Sequence, residues 1–599
     1  MTSEYTYERL FSFVFPDWKG TIPLFNNNNN NNTISENTTF LSDDSEDSKC
    51  IVSWFIIWEV ISDDGFSNIG IKQEIKSMKT MQKILRIRLH LKNENQSVEI
   101  TNDLELVFSS DCIHFLPNSS WVFSMEPRFF DSIDFFDPLL GKWFLNTEAF
   151  LKFDKIIDIS STFCSNNIDV WFTSFIDIYD KLIDSHDWLK IEMEHMRILG
   201  KMHIKSFRFD FEKAEDLKNE IMIKLDEIKK EIFSISKVEF NILSPYEVSD
   251  ILFNHLNIKI PKINENTISI DSRHRESHQR IFAPTNIKVL SKIKHPITNL
   301  ILRYRALIKV LSNWLNFKKF CSNENDLHPF YHTCSTSTGR ISTTNPNLQN
   351  VPSFVDTLNI RNIFLPYDNN YTLISLDYSQ LELRILAHFA QDKKLTELCN
   401  DLKNDIHMQI AQLIFGLKNV DMVTMQQRKE AKQSVYKTIY GKEWNNENKK
   451  SNRKIDSLLK TFPNIQKFIN EATIQATKNG YVETLCGKKR ILPNINSSSS
   501  VKKQRDIRIA VNTIIQGSAA DFVKFALIEI MKNVHDIEPL LQIHDEWIFQ
   551  TKYDVGTNEF SSLIRNLQSY SQCYQKIGLK VPIPSKIKFG KNFGNMNYL

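Results

Sequence analysis

The chain has 599 residues, and its 41% apolar and 24% charged content is typical of a globular protein with several domains of roughly 100–200 residues each. No apolar run approaches the roughly 20 residues needed to span a bilayer, and the stretch MTSEYTYERLFSFVF lacks the basic and apolar regions of a signal peptide. The net charge is +3, but residues 1–200 carry 17 Lys+Arg and 31 Asp+Glu, whereas the remainder carries 57 and 40. A basic C-terminal two thirds suits a polyanionic partner, although such an asymmetry alone also fits an ordinary protein surface.

The first 185 residues combine low-complexity sequence with segments typical of strands. An asparagine run at 26–32 and the acidic SDDSEDS from Ser42 predict a disordered N-terminal segment, 1–49. The stretches IVSWFIIWEV, ILRIRLHL and LELVF are rich in β-branched and aromatic residues, which favours strands. We therefore expect an α/β domain over residues 50–185.

From residue 186 the pattern becomes helical. In WLKIEMEHMRILGKMHI and FEKAEDLKNEIMIKLDEIKKEIF, apolar residues recur every three or four positions, and NLILRYRALIKVLSNWLNFKKF predicts another helix over about 299–320. Long antiparallel helices with basic faces can clamp a duplex, although most amphipathic helices only pack against a core. From about Tyr331 onward, strands and helices alternate and turn signals such as Asn479-Gly480 separate them.

The eight cysteines are scattered, and no two of them form a Cys-x-x-Cys pair. This pattern is typical of free thiols in a reducing compartment. His328, His332 and Cys334 lie close together in the sequence, but their spacing fits no usual zinc site.

Two acids lie where predicted strands end. The segment LISLDYSQLE predicts a buried strand that ends at Asp377 and passes into a helix beginning near Gln380. In LLQIHDEWIFQ, two apolar stretches flank His544-Asp545, which predicts a hairpin with these residues at its tip. Each acid alone would be interpreted as a turn residue. Together they could hold two divalent ions about 3.5–4 Å apart, and Mg²⁺ suits a site that shares its ligands with substrate phosphates.

A helix predicted from about Met425 carries a line of cationic and aromatic residues. Arg428, Lys432, Tyr436 and Tyr440 are spaced four apart, so they share one slowly drifting face. The two cations could bind a triphosphate near the positive end of the helix dipole, and the two rings could contact a sugar and a base. A solvated cationic face is the alternative interpretation.

These segments together resemble family A DNA polymerases, the bacterial DNA polymerase I class, from about residue 185 to the end. The resemblance also covers STSTGRISTTNPNLQNVP (335–352), DIHMQIAQLIFG (405–416), GYVETLCGKKRILPNINS (480–497) and VNTIIQGSAADFVK (511–524). It implies an α+β right-hand polymerase fold preceded by a degenerate exonuclease-like (RNase H-like) α/β domain at 50–185. The implied divisions are a helical thumb (186–335), a palm with an antiparallel sheet (336–381 and 501–599) and helical fingers (382–500).

The resemblance also implies the chemistry. Two Mg²⁺ ions would lie on Asp377, Asp545 and the Tyr378 carbonyl, with Glu546 as a further acid nearby, and Lys432 could protonate the leaving pyrophosphate. The partners would be primer–template DNA and deoxynucleoside triphosphates, with no membrane and a monomeric chain. Positions that match the family's motifs are expected to bind the two substrates. Those expected to bind the incoming nucleotide are Arg428, Lys432, Tyr436, Tyr440, His407, Gln380 and Glu382. Those expected to bind DNA are Arg340, Arg508, Asn512, Gln516 and His544.

Glu382 separates the candidate reactions. Its position matches the steric gate that family members use against a ribose 2′-hydroxyl, which argues against a single-subunit RNA polymerase. An organellar replicative DNA polymerase and a catalytically silent DNA-binding scaffold are two further candidates. The metal acids and phosphate-binding cations are all present, which argues against the scaffold.

The N-terminal domain lacks the pattern of an active proofreading exonuclease. Asp103 and Glu105 have the required Asp-x-Glu spacing, but they lie only about 80 residues before the predicted thumb, and Tyr179 and Asp184 miss the expected Tyr-x-x-x-Asp by one position. An inactive exonuclease-like domain and the sequence of the predicted fingers helix resemble the eukaryotic theta and nu polymerases. This resemblance implies a role in DNA repair or translesion synthesis. It favours the nucleus as the compartment and leaves an organelle open. Lys437 replaces a glycine of many family members, and we expect it to lower fidelity.

Overall fold

The computed structural model describes residues 187–204, 207–261, 269–271, 280–317, 320–321, 325–333, 335–441 and 453–598, together with the backbone of five strands between 55 and 136. The predicted disordered segment, the predicted strand LELVF and Cys334 lie outside the described residues, as do the four residues discussed for exonuclease activity, Asp103, Glu105, Tyr179 and Asp184. The domain boundaries proposed from the sequence therefore stay predictions.

The five N-terminal strands form one mixed sheet. Its order is β3-β2-β1-β4-β5, where β2 runs antiparallel to β1 and β3, and where β4 is parallel to both β1 and β5. Two of the predicted strand stretches, IVSWFIIWEV and ILRIRLHL, overlap β1 and β2 over most of their length. The bounds are β1 (Phe55–Ser62), β2 (Leu85–Lys92), β3 (Ser97–Thr101), β4 (Ile113–Phe115) and β5 (Phe135–Phe136).

Long helices dominate residues 187–313, as the apolar spacing predicted. The second of them is capped by Asp210, whose side chain accepts a hydrogen bond from the Lys213 amide at 3.0 Å, and its buried residues recur at helical spacing from Ala214 to Ile232. The elements are α1 (Asp187–Ile204), β6 (Arg208–Phe209), α2 (Phe211–Ser236), α3 (Pro245–Ser249), a π-helical turn (Asp250–His255), β7 (Ser269–Asp271), β8 (Arg280–Phe282), α4 (Ile287–Leu290) and α5 (Pro296–Asn313).

The prediction for α5 was too long at its C-terminus. The helix ends at Asn313 rather than near 320, because Trp314 and Phe317 turn into the core. Phe317 packs against Phe364 at 6.2 Å between ring centroids. Burial of these large rings outweighs continuation of the helical hydrogen bonds.

Short strands lead from this helical region to the central strand of the main sheet. They are β9 (Phe330–His332), β10 (Ser342–Thr344), β11 (Phe354–Val355), β12 (Leu358–Asn359) and β13 (Phe364–Leu365), followed by β14 (Thr372–Tyr378). In β14 every residue except Asp377 is buried, which explains the nearly continuous apolar run in the sequence.

Helices occupy most of the chain between β14 and the second half of the sheet. The helix predicted near Gln380 begins at Leu381, and the helix predicted from Met425 begins there. The elements are α6 (Leu381–Ala390), α7 (Lys393–Asn400), α8 (Ile406–Phe415), α9 (Met425–Ile439), α10 (Arg453–Thr461), α11 (Pro463–Asn479), β15 (Tyr481–Glu483), β16 (Lys489–Ile491), α12 (Ser500–Asn512), a π-helical turn (Thr513–Gly517) and α13 (Ser518–Asn533).

The main sheet is antiparallel and has the order β17-β18-β14-β19-β20. The helix α13 packs against α1, and its Phe522 meets Tyr378 of β14 with ring centroids 5.1 Å apart. The C-terminal elements are β17 (Glu538–Ile543), β18 (Glu546–Thr551), α14 (Asn558–Ser571), β19 (Ser585–Gly590) and β20 (Asn597–Tyr598).

No helix in the described part of the chain is long and apolar enough to cross a membrane. Four of the eight cysteines, Cys321, Cys399, Cys486 and Cys573, fall within the described residues, and all four are free thiols. His328 accompanies His203, with Nδ1 of His328 2.8 Å from the His203 carbonyl oxygen, and His332 meets the Thr344 hydroxyl at 2.7 Å. Both imidazoles therefore have protein partners.

Candidate active site

The two predicted acids meet at one end of the main sheet. Asp377 lies directly opposite Glu546 in the pairing of β14 with β18, and Asp545 lies at the tip of the β17–β18 hairpin. The preceding His544 adopts a positive φ of 55°, which closes the tight tip. The Tyr378 amide donates to the Asp545 carbonyl oxygen at 3.2 Å, so the tip is fixed against the end of β14.

The carboxylates at this corner are partly buried and interact with one another. Burial raises the pKa of Asp377 to about 6, helped by the nearby Glu546 and Asp545 and opposed by Lys588 and Lys586 of β19. Burial also raises the pKa of Asp545, against the effect of Arg340. A divalent cation would relieve both effects, because it stabilises the ionised carboxylates.

The donor set fits Mg²⁺ in chemistry. The available ligands are carboxylate and backbone carbonyl oxygens, which a hard cation prefers. Among the described residues, no group of three or more His, Cys, Asp or Glu side chains is arranged to hold a metal ion by itself. Asp377 and Asp545 would thus supply part of a coordination shell that substrate phosphates and water complete.

The side chains of Tyr378 and Glu546 are held by the protein. The Tyr378 ring is buried against Phe522 and its hydroxyl donates to the Ser571 carbonyl at 3.4 Å, which leaves only backbone atoms for a metal. Glu546 accepts a hydrogen bond from the Ser375 hydroxyl at 2.5 Å. Sequence reasoning missed Ser375, although its position two residues before Asp377 on a strand places it on the same face.

Glu382 is the centre of a hydrogen-bonded network. Its two carboxylate oxygens accept from Arg340 at 2.8 Å and from the Tyr440 hydroxyl at 3.0 Å. The Gln516 amide donates to the Tyr440 oxygen at 2.9 Å. Arg340 also donates to Asp545 at 3.3 Å, so this network connects the end of α9 to the carboxylate corner.

The helix α9 presents the predicted cationic and aromatic face. A capping box formed by Thr424 and Gln427 starts the helix, as both reciprocal hydrogen bonds are present. The Tyr436 ring stacks with Tyr440 at 6.1 Å, and the Lys432 ammonium lies 5.9 Å from the centre of the Tyr436 ring. A cavity of about 780 Å³ lies along this face, lined by Met425, Gln426, Arg428, Lys429, Lys432, Gln433, Tyr436, Lys437 and Tyr440.

His407 is buried beside the same helix, 6.4 Å from Tyr436 between ring centroids. Burial lowers its pKa to about 4; Lys432 and Arg428 act in the same direction, and Asp405 opposes them. At neutral pH the imidazole is therefore uncharged, and it could offer a phosphate a hydrogen bond but no positive charge.

The other residues predicted to contact the nucleotide or the DNA are less closely connected to the Glu382 network. Arg508 and Asn512 lie four apart on α12, which continues through the π-helical turn to Gln516. His544 is exposed at the hairpin tip, and Gln380 precedes α6 with a positive φ of 50°. Within the part of the chain that the structure describes, no hydrogen bond joins Arg508, Asn512 or Gln380 to the Glu382 network.

Comparisons with known proteins agree on one family. The family model described as DNA polymerase family A matches residues 211–595. The chain is 30% identical over 430 residues to DNA polymerase I of Bacillus caldotenax, covering 68% of this chain and 46% of that protein. It is 31% identical over 378 residues to DNA polymerase I of Bacillus subtilis, covering 60% and 41%. The chain thus spans less than half the length of these relatives.

Among solved structures, a similar chain is the POL domain of Pol1 from M. smegmatis in complex with DNA primer-template and dNTP. The TM-score is 0.72 with 20% sequence identity, and the match covers 90% of this chain and 96% of that chain. This likeness confirms the predicted right-hand fold of thumb, palm and fingers. The degenerate exonuclease-like domain stays a prediction.

Proposed function

The chain belongs to DNA polymerase family A, and we propose that it is a template-directed DNA polymerase that extends a primer 3′-hydroxyl with deoxyribonucleotides. The observation that carries the proposal is the hydrogen-bonded connection of partly buried Asp545, which lies beside Asp377, through Arg340 and Glu382 to a cationic and aromatic helix face along a cavity. The solved relative in complex with primer-template and dNTP supports the same substrates.

Each group at the site has a chemical task in this proposal. Asp377 and Asp545 would hold two Mg²⁺ ions, which when bound would lower the pKa of the primer hydroxyl and neutralise charge on the triphosphate. Arg428 and Lys432 bind the phosphates by charge-assisted hydrogen bonds, and Lys432 protonates the leaving pyrophosphate. Tyr436 stacks on the incoming nucleotide.

The proposed DNA contacts involve a second set of residues. Arg340 and Gln516 would contact the primer–template next to the insertion site, and Arg508, Asn512 and His544 would add further contacts. Contacts of this kind fix the position of a duplex without reading its sequence. They suit a polymerase that copies any template.

The position of Glu382 supports a preference for deoxyribonucleotides over ribonucleotides as substrates. Hydrogen bonds from Arg340 and Tyr440 hold its carboxylate in place, so it would meet a 2′-hydroxyl as a rigid obstacle. A single-subunit RNA polymerase, the second enzymatic candidate, needs that space to be open. A silent scaffold would have no use for the retained acids and cations.

We further propose that the polymerase lacks proofreading and acts in DNA repair or translesion synthesis in the nucleus. The sequence pattern at 50–185 and the likeness of the fingers to theta and nu polymerases support this role. The position of Lys437 on the cavity wall supports a direct effect on base selection. Organellar replication is the alternative.

Primer extension with the full chain tests the proposal. We expect a labelled primer on a complementary template to be extended in Mg²⁺ with each matching dNTP, and far less with rNTPs. Extension with ribonucleotides without a primer would favour the RNA polymerase. DNA binding without extension would favour the scaffold.

A further inference from the structure

One carboxylate joins the two helices that bear the proposed triphosphate-binding groups. Asp405 precedes α8, and its Oδ1 accepts a hydrogen bond from the Met408 amide at 2.9 Å, which caps the helix. Its Oδ2 accepts from Arg428 of α9, at 2.7 Å from Nη2 and 3.2 Å from Nε. Both oxygens of a single side chain are therefore in use, one for each helix.

The two helices contribute different parts of the same surface. The helix α8 carries His407, and α9 carries Arg428, Lys432 and Tyr436. The Arg428 and Asp405 side chains are 27% and 35% exposed, so the pair is partly shielded from water yet open to a ligand in the cavity. Asp405 thus holds one edge of the Arg428 guanidinium.

The geometry leaves Arg428 able to bind a phosphate while it is paired. A guanidinium has five N–H donors in a rigid fork. Asp405 occupies the Nε donor and one donor of Nη2, which leaves three donors directed away from the carboxylate. A side chain fixed in this way loses less rotamer freedom when a phosphate arrives.

We propose that Asp405 is a positioning residue that orients Arg428 for the triphosphate of the incoming nucleotide. This inference rests on the proposed function, because it refines the nucleotide site of the polymerase. Asp405 would not contact the substrate. It would act through Arg428, and its effect should fall on nucleotide binding rather than on the chemical step.

The variant Asp405→Asn separates the two tasks of the side chain. Asparagine is a good helix cap, so its oxygen can still accept from Met408, but its NH₂ cannot accept from Arg428. In single-nucleotide primer extension, we expect KM for dNTP to rise about 3- to 10-fold with kcat little changed, because one long side chain must now be ordered on binding. Asp405→Ser, which keeps a cap but cannot reach Arg428, should behave alike.

Asp392→Asn is the matched control. Asp392 also caps a helix of the fingers, accepting from the Leu395 amide at 3.2 Å, but its second oxygen accepts from a backbone amide, that of Asn464, and not from a cation. We expect this substitution to leave KM for dNTP unchanged. If Asp392→Asn raised KM as much as Asp405→Asn does, loss of any helix-capping charge in this region would be enough to weaken nucleotide binding. That result would overturn the proposal.

A double-mutant cycle with Arg428→Ala gives the decisive test. If Asp405 acts through Arg428, Asp405→Asn should have no further effect on KM in the Arg428→Ala background. An unchanged or lower KM in Asp405→Asn, or an equal effect in both backgrounds, would refute the positioning role. Absence of primer extension by the unaltered chain would instead refute the proposed function itself.

Discussion

A buried ion pair joins α1 to α13 and gives a quantitative prediction. The Lys524 ammonium of α13 lies 2.5 Å from a Glu192 carboxylate oxygen of α1, and both side chains are 1% exposed. Nearby His195 is also buried, and burial together with Lys524 holds its pKa well below the ordinary value. The imidazole is therefore neutral at pH 7 while Lys524 is in place. Lys524→Met would leave Glu192 as an uncompensated buried charge.

The expected loss of stability is large. Breaking a buried pair by removing one partner costs about 3–5 kcal/mol. With a shift of about 2–4 °C per kcal/mol for a unit of 150–250 residues, Tm of the unit that contains this pair should fall by about 6–20 °C. The double variant Glu192→Leu with Lys524→Met leaves no unpaired charge, so it should recover most of that loss.

Thermal unfolding followed by circular dichroism measures these shifts. The control is Lys218→Met, which breaks an exposed pair with Glu215 on α2 and should move Tm by no more than about 2 °C. The reasoning fails if Lys524→Met shifts Tm no more than the control does. It also fails if the double variant is as unstable as the two single variants combined.

Three further predictions concern the active site. Glu382→Ala should admit ribonucleotides, because it opens the space for a 2′-hydroxyl; unchanged dNTP-to-rNTP selectivity in primer extension would contradict the steric gate. Lys437→Gly should lower the rate at which a nucleotide that does not match the template base is inserted. Equal misinsertion rates in this variant and the unaltered chain would show that the lysine does not affect base selection. Gly517→Ala should reduce extension, because a Cβ there would collide with the Thr484 side chain and displace the adjacent Gln516. Thr484→Ser removes the colliding methyl and should restore extension; no recovery would contradict this steric explanation.

The parts of the site that the sequence predicted are those with a local pattern. The strand before Asp377, the hairpin tip at Asp545 and the helix from Met425 each follow from apolar runs and spacing within about ten residues. The mainly apolar stretches LLQI and WIFQ flank three consecutive polar residues, so the turn between the two strands is expected at those three residues. The local pattern was thus enough to predict the strand, the hairpin and the helix that carry these residues.

Pairings over long distances in the chain were not predictable. Arg340 and Asp545 are 205 residues apart, and Glu192 and Lys524 are 332 apart. Each of these four residues is an ordinary charged residue in its own segment of the sequence. Its partner is determined only by how the helices and the sheet pack together. The same holds for Asp405, which the sequence presents as a simple helix cap.

The central claim is that Asp377 and Asp545 bind the metal ions of nucleotidyl transfer. Its most direct test is single-nucleotide extension in Mg²⁺ by the unaltered chain, Asp377→Ala and Asp545→Ala, with primer–template binding measured on the same samples. A metal ligand contributes several kcal/mol to the transition state, so each substitution should slow insertion by about 10³-fold or more while DNA binding persists. Extension by Asp545→Ala at a rate near that of the unaltered chain would contradict the account.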